Sequence, residues 1–192
     1  MSRILVLTAH PHAKSYCAGL AGAYCDGARL QGHEVRMLGL WEAEIDLAAP
    51  EYSSGGLLAP WVSEGQAQIA WCEHLVIIVP MWWGGVPAAF KAFLDRVLLP
   101  GFAFKYHATG LGWDKLLAGR SARLIVTCDT PPVIFRWVFG QPLVRQFKTQ
   151  ILGFCGFSPI RTTVLGPIKT SSLEKRQRWL RTVHGLGKTE KI

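Results

Sequence analysis

Three short stretches of this chain gather the residue types that bind anions and flat rings. "AHPHAKSYC" places His10, His12, Lys14 and Ser15 immediately ahead of a segment with helical periodicity. Unpaired N–H groups and the positive end of a helix dipole favour a phosphate at such a point, although Ser15 is equally a good N-cap for a helix that binds nothing. "PMWWGGVP" follows an apolar run and sets Trp82 and Trp83 beside Gly84 and Gly85, so two large aromatic faces stand where backbone can approach a planar ring closely. A tryptophan pair serves a core or a dimer interface as readily, and the loop alone leaves that choice open. The third stretch is "TCDTPP", after another apolar run. Neither G-x-G-x-x-G nor G-x-x-x-x-G-K-S/T occurs at the first loop, which disfavours a dinucleotide Rossmann site and a P-loop. His10 and His12 lack a third residue at ligand spacing, so no metal site is expected.

The elements that would carry these loops can be read from periodicity. Arg3–Thr8 is a nearly continuous apolar run, as expected for a strand buried on both faces of a parallel sheet. From Ser15 to Gln31, residues Cys17, Leu20, Ala21, Tyr24 and Ala28 recur at helical spacing, and an extended pattern returns around Val35, Met37 and Leu38. Residues 40–60 are rich in Pro, Gly and Ser and read as a long loop before a helix near Pro60–Cys72. His74–Val79 is a third strand. Pro87 then opens a helix with Phe90, Phe93, Leu94, Val97 and Leu98 on one face and the i,i+4 pair Lys91 and Asp95 on the other. A fourth strand at Ala122–Thr127, a mixed helical region through Gly153, a short strand near Ile160–Leu165 and a helix from Ser172 to about Gly185 complete the order. This alternation predicts a doubly wound parallel sheet of class α/β, whose loops after the first, third and fourth strands gather along one edge.

Composition narrows the function classes. With 192 residues, 49% hydrophobic and 18% charged, the chain predicts one soluble domain with a substantial core. Its longest apolar run, "LVIIVPMWW", falls far short of the roughly 20 residues that span a bilayer, and "MSRILVLTAHPH" enters a strand pattern directly; a cytoplasmic protein is expected. Cys17, Cys25, Cys72, Cys128 and Cys155 are dispersed and odd in number, so they are expected to be reduced. The net charge of +8 is spread except for "LEKRQRWLR", which predicts a solvated basic helix face rather than a nucleic-acid site. The same charge argues against a one-electron carrier with an acidic docking surface.

"LTAHPHAKSYC", "PMWWGGVPAAFKAFLDRVLLPGFAFKY" and "ILGFCGF" resemble, in order and at similar separations over nearly the whole chain, segments of the flavodoxin-like NAD(P)H:quinone oxidoreductases. The resemblance implies a flavodoxin-like, doubly wound, five-stranded parallel sheet with helices on both faces. It also implies a bound flavin, FMN or FAD, and ping-pong transfer of two electrons from NAD(P)H to a quinone-like acceptor. On it, His10 and Ser15 hold the phosphate end of the flavin, with Tyr16 and Cys17 adjacent. Pro80, Met81, Trp82, Trp83 and Gly84 hold the isoalloxazine, and Thr127, Cys128, Asp129 and Thr130 reach its polar edge. Phe104, Tyr106 and Phe135 wall the substrate side, and a homodimer, covering the apolar run "LLPGFAFKY", completes the pocket. Some relatives are instead regulatory, as ancillary subunits of potassium-efflux systems.

The chain departs from that pattern in three places. Cys17 stands where relatives commonly have asparagine. "TCDTPP" replaces a Thr-Thr-Gly-Gly loop, and Pro131 and Pro132 have no N–H to donate. Phe135 and Gln141 fall where animal relatives carry a tyrosine and a histidine proposed to relay charge, so no catalytic acid–base residue is expected in this chain.

Overall fold

A computed structural model describes residues 1–43, 45 and 58–190. In chain order its elements are β1 (Arg3–Thr8), α1 (Tyr16–Leu30), β2 (Glu34–Gly39), α2 (Pro60–Trp71), β3 (His74–Pro80), α3 (Ala88–Val97), β4 (Phe104–Tyr106) and β5 (Trp113–Lys115). There follow β6 (Ser121–Thr127), α4 (Pro132–Trp137), α5 (Pro142–Gln146), a π-helical turn at Phe147–Ile151, α6 (Leu152–Cys155), β7 (Ile160–Leu165) and α7 (Leu173–Thr189). Most of the long loop expected over 40–60 lies outside the described residues.

The expected sheet is present: five parallel strands in the order β2-β1-β3-β6-β7. Every residue of β3 and β6 is buried, because helices cover both faces. On one face Ile4, Val6, Val76, Ile78 and Ile125 pack with Leu20, Tyr24 and Val183 of α1 and α7. On the other, Leu5, Leu7, Leu75, Ile77 and Leu124 meet Phe90, Phe93, Phe135 and Phe147. All five cysteines are free and buried.

Two features were not legible in the periodicity. The last helix runs four residues beyond Gly185, through Gly187, whose missing Cβ would otherwise lie 2.3 Å from the Tyr24 carbonyl. That glycine permits close packing of α7 on α1 rather than ending the helix. The second feature is the β4–β5 hairpin, whose three-residue strands are too short to show alternation. It folds the "LLPGFAFKY" run back on the chain: Leu98, Ala103 and Phe104 are buried, Phe104 sits edge-on to Phe154, and Trp113 stacks on Phe154 at 4.5 Å. Of the aromatic positions in that run, Tyr106 stays exposed. The apolar run is therefore largely covered within one chain and does not by itself require a partner.

Candidate functional site

The loops after β1, β3, β6 and β7 converge at the carboxyl edge of the sheet, and their side chains bind one another. In the first loop, His10 Nδ1 accepts the His12 N–H at 3.1 Å, and the His10 ring meets Trp82 of the second loop edge-on at 5.7 Å. Partial burial, with a smaller contribution from the charge of His12, holds the His10 pKa below its ordinary value and favours the neutral ring. Ser15 Oγ accepts the Ala18 N–H at 3.2 Å, making it the N-cap of α1. The amides of Tyr16 and Cys17, in the first turn, have no acceptor within the helix. Tyr16 Oη donates to the Arg176 carbonyl at 2.7 Å, and burial pushes its phenol up to about 12. Cys17 Sγ lies 3.4 Å from Thr127 Oγ1, and burial pushes the thiol up to about 11, so it stays protonated at neutral pH.

The second loop is a tight reversal. Trp82 N–H donates to the Gly85 carbonyl at 3.0 Å and Gly85 N–H returns a bond to Trp82 at 2.9 Å, enclosing Trp83 and Gly84 at φ of 51° and 76°. Two consecutive left-handed residues are the geometry of a type I′ turn, which glycine adopts freely and tryptophan does not. Trp83 nevertheless occupies this position with its side chain fully exposed. Left-handed backbone at a bulky residue costs on the order of 1–2 kcal/mol. A large aromatic held in a strained turn and kept in water marks a place where a partner surface is expected.

The third loop is tied to its neighbours on both sides. Met81 N–H donates to the Thr127 carbonyl at 2.7 Å, and Ile168 N–H to the Cys128 carbonyl at 3.0 Å. Asp129 Oδ1 accepts the Lys169 N–H at 2.6 Å. Ile168 and Lys169, in the loop after β7, were not among the sequence candidates; the signal for them is the strand-end rule itself, applied to the last strand.

Two adjoining cavities result, sharing Met81, Trp82 and Asp129. One, of about 300 Å³, is walled by His10, Tyr16, Cys17, Pro80, Thr127, Cys128, Ile168 and Lys169 as well. The other, of about 510 Å³, adds Trp83, Gly84 and Thr130. Every cofactor candidate named from sequence except Ser15 lines one of them, and Ser15 caps the helix that points there. The first cavity suits a phosphate: it is lined by the first turn of α1 and by Lys169, with Asp129 beside Lys169 engaged by its backbone N–H. The second suits a flat ring. A larger cavity, about 980 Å³, opens beside Gly39, Trp61 and Arg96, but it borders the undescribed segment and none of the converging loops reaches it.

The substrate-side candidates are placed differently. Phe104 and Tyr106 line a separate cavity of about 260 Å³ with Lys91, Gln146 and Phe154. Phe135 is a correction to the sequence reading: it is 1% exposed within the core, because α4 turns that one side chain inward while Ile134 and Arg136 face water. Gln141 is the left-handed N-cap of α5 and lines neither cavity.

Residues 2–183 match the family described as having a flavodoxin-like fold. Ribosyldihydronicotinamide dehydrogenase (quinone) of Homo sapiens is 25% identical over 219 residues, covering 99% of this chain and 94% of that protein. The FMN-dependent NADH:quinone oxidoreductase of Nitratidesulfovibrio vulgaris is 26% identical over 191 residues, covering 87% of each. The crystal structure of Smu.1420 from Streptococcus mutans superposes with a TM-score of 0.82 at 28% identity, over 98% of this chain and 100% of that one.

Proposed function

Because the chain belongs to the flavodoxin-like fold family, we propose that it is an oxidoreductase that binds FMN and carries two electrons from NADH to a quinone. The observation that carries this reading is the strained, exposed Trp82-Trp83-Gly84-Gly85 turn, joined through His10 to a helix N-terminus suited to a phosphate. The name of the Nitratidesulfovibrio relative supplies NADH, quinone and FMN; the name of the human relative shares the quinone but gives ribosyldihydronicotinamide as its reductant.

The residues divide the work between two ends of one ligand. The Tyr16 and Cys17 amides and the Lys169 cation take the phosphate end. Trp82 and Trp83 cover the ring, and Gly84 lets backbone approach it. Thr127, Cys128, Asp129 and Thr130 border its polar edge. Cys17 cannot act as a nucleophile at neutral pH, since burial keeps it a thiol. A flavin held by these residues would supply two-electron hydride chemistry between the nicotinamide and the quinone, the second proton of the hydroquinone coming from solvent.

The ring-side cavity offers one open slot, so nicotinamide and quinone take turns in it and the kinetics are ping-pong. A homodimer would let Tyr106, exposed and lining a different cavity from Trp83 in its own chain, wall the slot of the partner subunit. Steady-state NADH oxidation over a grid of quinone concentrations tests the reading. Parallel double-reciprocal lines are expected; intersecting lines would require a ternary complex, and no turnover would remove the assignment.

A further inference from the structure

The loop after β6 carries a charge that the site described above leaves unused. Asp129 lines both cavities at the carboxyl edge, and no other Asp or Glu lines either of them. Its Oδ1 accepts the Lys169 N–H at 2.6 Å, a bond that a neutral asparagine could accept equally well. In a chain with 21 Lys and Arg against 13 Asp and Glu, this carboxylate forms no ion pair among the described residues. Lys169 lines the phosphate-side cavity but not the ring-side one, where Asp129 is the one charged residue beside Met81, Trp82, Trp83, Gly84 and Thr130. The loop also withholds donors that would offset a negative charge. The Cys128 N–H is spent on the Leu165 carbonyl, and Pro131 and Pro132 have none.

We propose that Asp129 sets the reduction potential of the flavin, holding it below the value the same site would give with a neutral residue, an assignment that rests on the function proposed above. Transfer of a hydride, two electrons with one proton, adds one negative charge to the ring that accepts it. A carboxylate at the border of the slot repels that added charge, and the repulsion grows as a bound ring displaces water from between them. Asp129 is itself exposed, so water still screens it and the effect is moderate. Asp129 therefore weakens the hold on reduced flavin relative to oxidised flavin, which lowers the potential and favours passing the electrons on. Quinones of lower potential come within reach as acceptors. Asp129 acts here through its field, as a specificity-determining residue and not as a proton carrier.

The test is the midpoint potential of bound FMN, measured in the full-length protein by equilibration with a reference dye, for the wild type, Asp129→Asn and Asp129→Glu. Asparagine keeps an acceptor for the Lys169 N–H and removes the charge. Asp129→Asn is expected to bind reduced FMN about tenfold more tightly relative to oxidised FMN, which raises the two-electron potential by about 30 mV. Asp129→Glu keeps the charge and should stay near the wild-type value, and the gap between the wild type and Asp129→Asn should narrow as salt rises. An unchanged potential in Asp129→Asn would overturn the proposal. So would an equal rise in Asp129→Glu, because the potential would then follow the shape of the loop and not its charge. A folded wild-type protein that takes up no FMN would overturn the functional reading and the role of Asp129 with it, whereas bound FMN of equal potential in the wild type and Asp129→Asn would overturn the role of Asp129 alone.

Discussion

The two ends of the central strands treat their polar groups in opposite ways. Toward the amino end, the charged groups are paired within the chain, and the one buried atom there without a hydrogen bond among the described residues, His74 Nε2, lies 3.7 Å from Glu190. His74 Nδ1 pairs with Ser121 Oγ at 2.7 Å, and Glu190 at the end of α7 accepts bonds from Tyr24, Arg123 and Arg161 with its side chain 1% exposed. At the carboxyl end, Thr8 Oγ1 is buried without a hydrogen-bond partner among the described residues, Trp83 stands in water in a left-handed turn, and two cavities open between the loops. Arg123 and Thr127 belong to one strand and, with side chains alternating, to one face. What separates their fates is whether another element arrives to complete them. One end is finished by α7; the other opens into the cavities proposed to hold the flavin.

The largest expected effect breaks the closed end. Glu190→Gln leaves Arg123 buried without its counter-ion, and stability should fall by about 3–5 kcal/mol, read as a lower urea midpoint. Once folded, the variant should retain flavin like the wild type. Loss of flavin affinity with no change in stability would mean that the two ends are not separate.

Acid should act on the same end. Burial first, then the Arg123, Arg161 and His33 charges, hold His74 down at about 4 against the opposing pull of Glu190. Burial alone would raise the Glu190 carboxyl, but the Arg123 hydrogen bond and the His74 and Arg123 charges override it and leave it lowered. The unfolded chain takes up a proton on this histidine near 6.5, while the folded chain does not until about 4. Stability should therefore decline as pH falls from about 6.5 to 4, by roughly 3 kcal/mol from His74. His74→Gln should flatten that part of the profile, and an unchanged slope would place the acid sensitivity elsewhere.

How much of this was legible in the sequence follows from the range of the signals. Two-sided burial writes itself into continuous runs, so Leu75–Val79 and Leu124–Val126 announce a parallel sheet, and the rule that loops after parallel strands share an edge then brings His10, Trp82 and Thr127 together. Glu190 lies 116 residues from His74, and no local pattern links them. Phe135 looked like a pocket wall because its neighbours in sequence are at the site, yet a six-residue helix has too few turns for periodicity to reveal which side chain faces inward. Lys169 carries no motif, and only the folded loop after β7 puts it against Asp129.

The smaller expected effects sharpen the open end. Trp83→Ala should weaken FMN retention by about 1 kcal/mol beyond the loss of buried area, whereas Trp41→Ala, outside the ring-binding turn, should leave it unchanged. Trp83→Gly should show a similar loss of affinity with a gain in stability of about 1 kcal/mol, because the left-handed conformation is free for glycine. Equal FMN affinity in the Trp83 and Trp41 variants would place the ring elsewhere.

The most direct test of the open end is a titration of flavin-stripped protein with FMN, followed by the quenching of flavin fluorescence. The loops at the carboxyl edge predict saturation at one FMN per chain, with quenching that diminishes in Trp83→Ala and is retained in Glu190→Gln. No saturable quenching in the folded wild-type protein would contradict the assignment of these cavities to a flavin.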